Sequence, residues 1–213
     1  MKQTKCLLCG ATAELHKQKY PGYQEPQTFD ICYCRSCNTS FSLPRTDATA
    51  IYNRIYQYGH EVPFYDRYWR YKDTVKTHPN PIQYLHDAEE AYWGGLTVLK
   101  QKVKDKKNAN ILEVGCGMGY LTYSLIKDGY NATGLDISQH AVDEAIRNFG
   151  EHYICADIFK YAEEHRDYYD IIIMTEVIEH VDSPVELLRA VLQVVKRGGG
   201  DYSNHSQQNY ISR

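Results

Sequence analysis

Two groups of side chains in this 213-residue chain have the types and spacing that chemistry needs. The first is Cys6-Leu-Leu-Cys9 with Cys34-Arg-Ser-Cys37, two Cys-x-x-Cys pairs separated by 24 residues. Four thiolates are what tetrahedral zinc takes, and a closed four-sulfur site leaves the metal no open position for catalysis. Cys6, Cys9, Cys34 and Cys37 are therefore expected to hold a structural Zn2+, with a redox dithiol as the rival reading for either pair alone. Gly10 after the first pair suits a knuckle turn, and Cys32 reads as a half-buried strand residue beside Ile31. The second group is Glu113-Val-Gly115-Cys116-Gly117-Met-Gly119, followed by Asp136, Asp157 and the run Thr175-Glu176-Val-Ile-Glu179-His180.

The elements around the second group follow from hydrophobic period. Ile111, Leu112 and Val114 suit a buried parallel strand, and Tyr120, Leu121, Leu125 and Ile126 begin a helical face. A strand, a glycine turn and a helix in that order can aim backbone N–H groups at a ligand over the strand's carboxyl end. Asp128-Gly129 stops that helix. Residues 131–136 form a second strand ending in an acid. Ser138 caps a helix whose Ala141, Val142, Ala145, Ile146 and Phe149 face inward until Gly150. Residues 153–157 form a third strand, again ending in an acid, and 169–174 a fourth. Ser183-Pro-Val-Glu186 reads as a capping box with proline at the first helical position, continued by Leu187 to Val195. Alternating β and α with buried strands predicts an α/β fold, a doubly wound, parallel, Rossmann-like sheet.

Upstream, residues 1–45 read as the zinc ribbon and 46–84 as an aromatic-rich helical connector, with 85–200 forming the larger domain. The ribbon is too small to bury much core, so metal would supply its folding energy, on the order of 10 kcal/mol. Ile51, Tyr52, Ile55 and Tyr56 share a helical face. The patch Tyr52, Tyr56, Tyr58, Phe64, Tyr65, Tyr68, Trp69 and Tyr71 is read first as glue between the two modules and second as the wall of an acceptor pocket. His78-Pro-Asn-Pro81 marks a break. Positions 85, 88, 92, 96, 99 and 103 then follow one helical stripe, weakened at Gly94-Gly95.

In such a sheet ligands bind outside the carboxyl ends of the strands. Asp136, 21 residues after Gly115, can take both ribose hydroxyls of a nucleoside, and Asp157 can accept from an exocyclic amine. Glu113 can fix the glycine loop or polarise a cationic ligand. A nicotinamide dinucleotide favours Gly-x-Gly-x-x-Gly and a bare helix N-terminus for its pyrophosphate. Gly-x-Gly-x-Gly behind Glu113 suits a cationic sulfonium-amino acid better.

The segments Ile-Leu-Glu-Val-Gly-Cys-Gly-Met-Gly, Gly-Leu-Asp-Ile-Ser, Ala-Asp-Ile-Phe and Asp-Ile-Ile-Ile-Met-Thr-Glu-Val-Ile-Glu-His-Val occur in order. Together they resemble the class I S-adenosylmethionine-dependent methyltransferases over roughly residues 85–200, in particular the small-molecule branch that includes ubiquinone-biosynthesis O-methyltransferases. The resemblance implies S-adenosyl-L-methionine as cofactor. It implies contacts to it from Glu113, Gly115, Cys116, Gly117, Gly119, Asp136, Ile137, Asp157, Ile158, Thr175 and Glu176. The reaction would be an in-line displacement at the sulfonium methyl, helped chiefly by orientation and exclusion of water. Glu179 and His180 are the candidate bases if the acceptor must lose a proton, and a role confined to bracing the loop stays open beside that. Glu176, Glu179 and His180 also resemble a divalent-metal triad of some relatives. An N-terminal zinc ribbon in front of such a domain is similar to sugar C-methyltransferases and to ribosomal-RNA guanine methyltransferases.

Charge favours the small acceptor. Through residue 110 the chain carries 16 Lys/Arg against 11 Asp/Glu, and thereafter 8 against 16, so the half with the glycine loop is acidic and unsuited to a nucleic-acid footprint. Apolar content of 43% and charge of 24% are those of a soluble protein, and no run approaches the ~20 apolar residues of a membrane span. A cytoplasmic protein with thiols rather than disulfides is expected. Twenty tyrosines against five phenylalanines have no account at this level.

The family's pattern breaks after Gly198-Gly-Gly200. Residues 201–213 have almost no apolar content and read as disorder, so three strands are missing and residues 171–174 would form a bare apolar edge. A truncated product is expected from this, with a homodimer as the way to cover the edge. The rival functions are a catalytically inactive zinc-ribbon protein that binds the cofactor, a methyltransferase acting on RNA, and a nicotinamide dehydrogenase.

Overall fold

The computed structural model divides the chain into two units, Met1–Ala48 with Asp182–Val185, and Thr49–Val181 with Glu186–Arg213. It describes residues 3–22, 26–45, 56, 58–59 and 65–197, together with the backbone of 210–211. Ile51, Tyr52, Ile55 and Phe64 of the aromatic stretch lie outside the described residues.

The smaller unit is an antiparallel sheet in chain order, β1 (Gln3–Lys5), β2 (Thr12–Pro21), β3 (Thr28–Cys34) and β4 (Thr39–Leu43). The first cysteine pair sits in the β1–β2 turn. There Gly10, at φ +73°, donates its N–H to the Cys6 carbonyl at 3.0 Å. The second pair straddles the β3–β4 turn. Period-2 alternation along β3 puts Cys32 and Cys34 on one face, and both are buried with Cys6, Ala13 and Phe41. Cys32 is thus a core residue rather than a half-buried one.

The larger unit opens with α1 (Asp66–Thr77), α2 (Pro81–Ala88) and α3 (Glu90–Lys102). Asn80 caps α2 by accepting the Gln83 N–H at 3.2 Å, and Pro81 takes the first helical position. The single helix expected from Leu85 to Val103 is in fact two, because Glu89 is extended (φ −148°, ψ 148°) and ends one helix while starting the next. Gly94 and Gly95 do not interrupt α3; both are buried inside it.

Then β5 (Asn110–Val114), α4 (Tyr120–Lys127), β6 (Asn131–Asp136), α5 (Gln139–Phe149), β7 (Tyr153–Cys155), α6 (Ile158–Glu164), β8 (Ile171–Met174) and α7 (Pro184–Val194) follow. The strand order is β7-β6-β5-β8 with a short fifth strand beyond β8, and β5, β6, β7 and β8 are parallel. Alternate residues divide the core. Ile111 and Ile173 face α1 to α4 through Tyr71, Leu96, Leu121 and Leu125, whereas Leu112, Val114, Ile172 and Met174 face α6 and α7 through Tyr161, Leu187 and Val191. Helices on both sheet faces make the fold doubly wound, as expected.

The differences are local. The third strand stops at Cys155, and Asp157 instead caps α6, a helix the sequence reading did not anticipate, by accepting the Phe159 N–H at 2.9 Å. The fourth strand begins at Ile171, and Tyr169 makes an isolated parallel bridge with Val195 beyond α7. The predicted bare edge is covered at Ile172 and Ile173. β9 (Tyr210–Ile211) pairs antiparallel with β8, Ile211 opposite Ile172 and Tyr210 opposite Ile173. An exposed strand edge is a template for pairing, and Tyr-Ile is the most strand-prone dipeptide of the tail. Of the described aromatic residues, Tyr71 is buried in the larger unit's own core, edge-to-face with Tyr84, Tyr92 and Tyr120.

Candidate functional site at the strand tips

The glycine loop connects β5 to α4 with Gly115, Gly117 and Gly119 all at positive φ. Packing makes glycine obligatory at two of these positions. A Cβ on Gly119 would meet the Tyr153 ring at 2.5 Å and Ala145 at 2.7 Å, and one on Gly115 would meet Val177 at 2.4 Å. Four of the loop's N–H groups are used within the chain rather than turned to a ligand. Gly115 and Cys116 both donate to the Leu135 carbonyl at 2.7 and 3.1 Å, Gly119 to the Cys116 carbonyl at 2.9 Å, and Gly117 to Asp136 Oδ2 at 2.8 Å. The loop is thereby stitched to the tip of β6.

Asp136 is the focus of that stitching. Its second oxygen, Oδ1, accepts the Ser138 N–H at 2.8 Å, so the carboxylate is locked by main-chain donors from both sides. Burial pushes its pKa up, against the lowering effect of those donors. Each oxygen keeps a second lone pair. The next residue, Ile137, is 74% exposed, a bare apolar side chain beside a fixed carboxylate.

Glu113 lies beneath the loop, 3% exposed, where the Thr122 hydroxyl of α4 donates to it. Burial raises its carboxyl to about 8, and the neighbouring Asp136 adds to the rise while Thr122 opposes it. Cys116 and Ile158 turn their side chains into the core, Cys116 with Val142, Ala145 and Tyr153, and Ile158 with Tyr161 and Ala162. Their side chains are therefore not part of the open crevice. Asp157 is half-buried and already engaged as the α6 cap, with Phe159 exposed two residues on.

Beyond β8, Thr175 is half-buried, and Glu176 sits at φ +55°, a left-handed conformation uncommon outside glycine. Its carboxylate accepts the Tyr68 hydroxyl at 2.5 Å and Arg67 Nη2 at 3.1 Å. Glu179 and His180 occupy an exposed 3-10 turn, Ile178–His180, with 3.9 Å between Glu179 Oε1 and His180 Nε2. Glu176 is thus turned toward α1 and away from a triad with Glu179 and His180. Among the described residues, metal-type ligand atoms converge in the four cysteines alone.

Sequence reasoning missed Arg67 and Tyr68. They sit 109 and 108 residues from their partner Glu176, inside a patch whose aromatic content suggested packing, so no local signal marks them. Tyr56, whose ring lies 3.4 Å from the place a Gly117 Cβ would occupy, was seen only as one member of that patch.

At the other end of the chain, Cys6 and Cys37 Sγ are 3.6 Å apart, as are Cys9 and Cys34, and all four sulfurs lie within 4.8 Å of one another. A zinc–sulfur bond of ~2.3 Å implies tetrahedral edges of about 3.8 Å, so the separations fit a metal-sized centre. Burial pushes the Cys34 thiol up, but N–H groups of Cys37 and Ser36 and the Cys9 thiol bring it down, toward the thiolate a metal needs. At Cys9 the lowering effect of the Ala11 N–H is outweighed by the sulfurs of Cys37 and Cys34, which push that thiol up.

A family model described as a methyltransferase domain matches residues 84–201, more than half of the chain, and the chain belongs to that family. Among individual relatives, it is 35% identical over 114 residues to a ubiquinone biosynthesis O-methyltransferase of Hydrogenovibrio crunogenus, covering 50% of this chain and 46% of that protein. It is 33% identical over 97 residues to the Yersinia pestis protein of the same name, covering 42% and 39%. The matched stretch spans less than half the length of these curated relatives. Solved structures that resemble it include the plantazolicin methyltransferase in complex with SAH, with 26% identity, TM-score 0.42 and coverage of 59% of this chain and 53% of that one. A magnesium protoporphyrin IX methyltransferase from Synechocystis with bound SAM gives 17% identity, TM-score 0.49 and coverage of 73% and 74%. Among the described residues, no helix is long and apolar enough to cross a membrane.

Proposed function

We propose that this chain binds S-adenosyl-L-methionine at the tips of β5 to β8 and transfers its methyl group to a small-molecule acceptor in the cytoplasm. The observation that carries this reading is how the glycine loop uses its donors. With the N–H groups of Gly115, Cys116 and Gly117 committed to Leu135 and Asp136, a pyrophosphate would find few of them, whereas a nucleoside would meet a fixed acceptor. Asp136 would accept the ribose hydroxyls through its remaining lone pairs, and the exposed Ile137 would lie against the base. Asp157 and Ile158 would bound the base through the α6 N-terminus, and Gly115 to Gly119, Thr175 and Glu176 would meet the cofactor through main chain. Glu113, buried under the loop and protonated near neutral pH in the free chain, would release that proton on meeting the cationic end of the ligand.

When bound, the cofactor supplies an electrophilic methyl on sulfur. The chain's contribution is to orient it and to exclude water, with Glu179 or His180 receiving the acceptor's proton where one must leave. The cysteine cluster is read as a structural zinc site, closed by four sulfurs and taking no part in transfer.

Calorimetric titration with S-adenosylmethionine tests the binding half. Micromolar binding by the parent, weakened at least ~100-fold by Asp136→Ala, is expected, since the substitution removes a charged acceptor for two hydroxyls. Parental affinity in the variant, or binding of NAD(H) instead, would discard the reading. Transfer of tritiated methyl into a cell extract separates an enzyme from a protein that only binds the cofactor.

A further inference from the structure

The strand-tip site is joined to the N-terminal helices by a run of polar contacts that no function above uses. Arg67 Nη2 donates to the Tyr68 hydroxyl at 2.9 Å and to Glu176 Oε1 at 3.1 Å, and Tyr68 in turn donates to Glu176 Oε2 at 2.5 Å. The guanidinium carbon lies 4.8 Å from the Tyr68 ring centroid, and its Nε stands 3.1 Å from Glu89 Oε1. Glu89 also accepts the Tyr71 hydroxyl at 2.7 Å. One helix therefore grips both the turn after β8 and the break between α2 and α3. The gripped residue, Glu176, holds φ +55°, which any side chain with a Cβ disfavours and which persists only when its surroundings impose it. Burial, followed by the Glu176 carboxylate, raises the Tyr68 phenol far above its ordinary range, so it stays a donor throughout the physiological range.

We propose that Arg67 and Tyr68 are positioning residues, which hold Glu176 by its carboxylate in the left-handed turn that carries the chain from Met174 toward Glu179 and His180. The side chain of Glu176 is then a handle for the backbone and touches neither metal nor ligand. The expected effect on cofactor binding rests on the methyltransferase reading, but the clamp itself does not.

Two measurements separate these. Amide hydrogen exchange over residues 174–181 of the ligand-free protein reads the clamp, and calorimetry with S-adenosylhomocysteine reads its consequence. Tyr68→Phe and Arg67→Gln are expected to speed exchange there about tenfold and to weaken binding by a similar factor, with the melting temperature little changed. Glu176→Ala is expected to weaken binding about tenfold as well, and Glu176→Gly to recover most of that loss, because glycine reaches the left-handed region without steric cost. Parental exchange in both Tyr68→Phe and Arg67→Gln, or a Glu176→Gly variant that binds no better than Glu176→Ala, would overturn the proposal. If the parent binds no S-adenosylhomocysteine, the methyltransferase reading fails, and the exchange rates alone decide the clamp.

Discussion

The smaller unit and the larger one bury side chains for different reasons. Among the described residues, three of the five that are fully buried in the small core, Cys6, Cys32 and Cys34, are cysteines, two of them candidate metal ligands, and Ala13 and Phe41 are the other two. The larger unit has apolar clusters on both sheet faces, built from ordinary Leu, Ile, Val and Tyr. Burial of apolar surface scales with size, so a sheet of under fifty residues needs a cross-link where a longer chain needs none. The contrast teaches that a buried residue can be the reason a unit folds or a passenger in it, and substitutions tell the two apart.

The largest expected effect is on the small sheet. Chelation of zinc, or Cys34→Ser, should unfold residues 3–45, a loss on the order of 10 kcal/mol, while the larger unit keeps its own cooperative transition. Two-dimensional NMR of the chelated protein checks this; protected amides persisting in β2 and β3 would break the contrast.

Next in size is Glu113. Its carboxyl stands at about 8 in the folded chain against an ordinary value of 4.5, so the folded state holds a proton that the unfolded state has released between those limits. Stability should therefore fall as pH rises through that window and level off above it. Glu113→Gln should flatten the fall and gain on the order of several kcal/mol near pH 8. Denaturant midpoints from pH 5 to 9 measure it, and an unchanged slope would remove Glu113 as the cause.

The smallest effect concerns paired phenols. Tyr161 and Tyr169 are both buried with their oxygens 2.6 Å apart. Tyr161→Phe should cost about 1–2 kcal/mol by orphaning its partner, whereas Phe at both positions should cost less than either single change. A double-mutant cycle in urea gives the coupling, and additive losses would show that the hydroxyls do not support one another.

Those pairs also explain what composition left unexplained. Tyr92 and Tyr120 meet at 2.7 Å, and Tyr153 donates to the Gly119 carbonyl at 2.7 Å, so many of the tyrosines are core aromatics whose hydroxyls answer each other or the backbone. Other features were legible outright. The period of Ile111 to Val114 and of Ala141 to Phe149, the Ser138 cap, and the doubled cysteine pairs each carry their meaning within a few residues. What was not legible depends on distant partners. The loop's N–H groups found Leu135, the tail found the β8 edge, and Arg67 found Glu176, none of which a local window contains.

The extended backbone at Glu89 has a consequence for size. An unbroken helix from Pro81 to Lys102 would run as a single rod of roughly 33 Å. Folded at Glu89, it becomes two shorter pieces whose sides touch, with the His86 ring 6.5 Å from that of Trp93, and each delivers a leucine, Leu85 from the first and Leu96 from the second, to one core against Ile111 and Ile173.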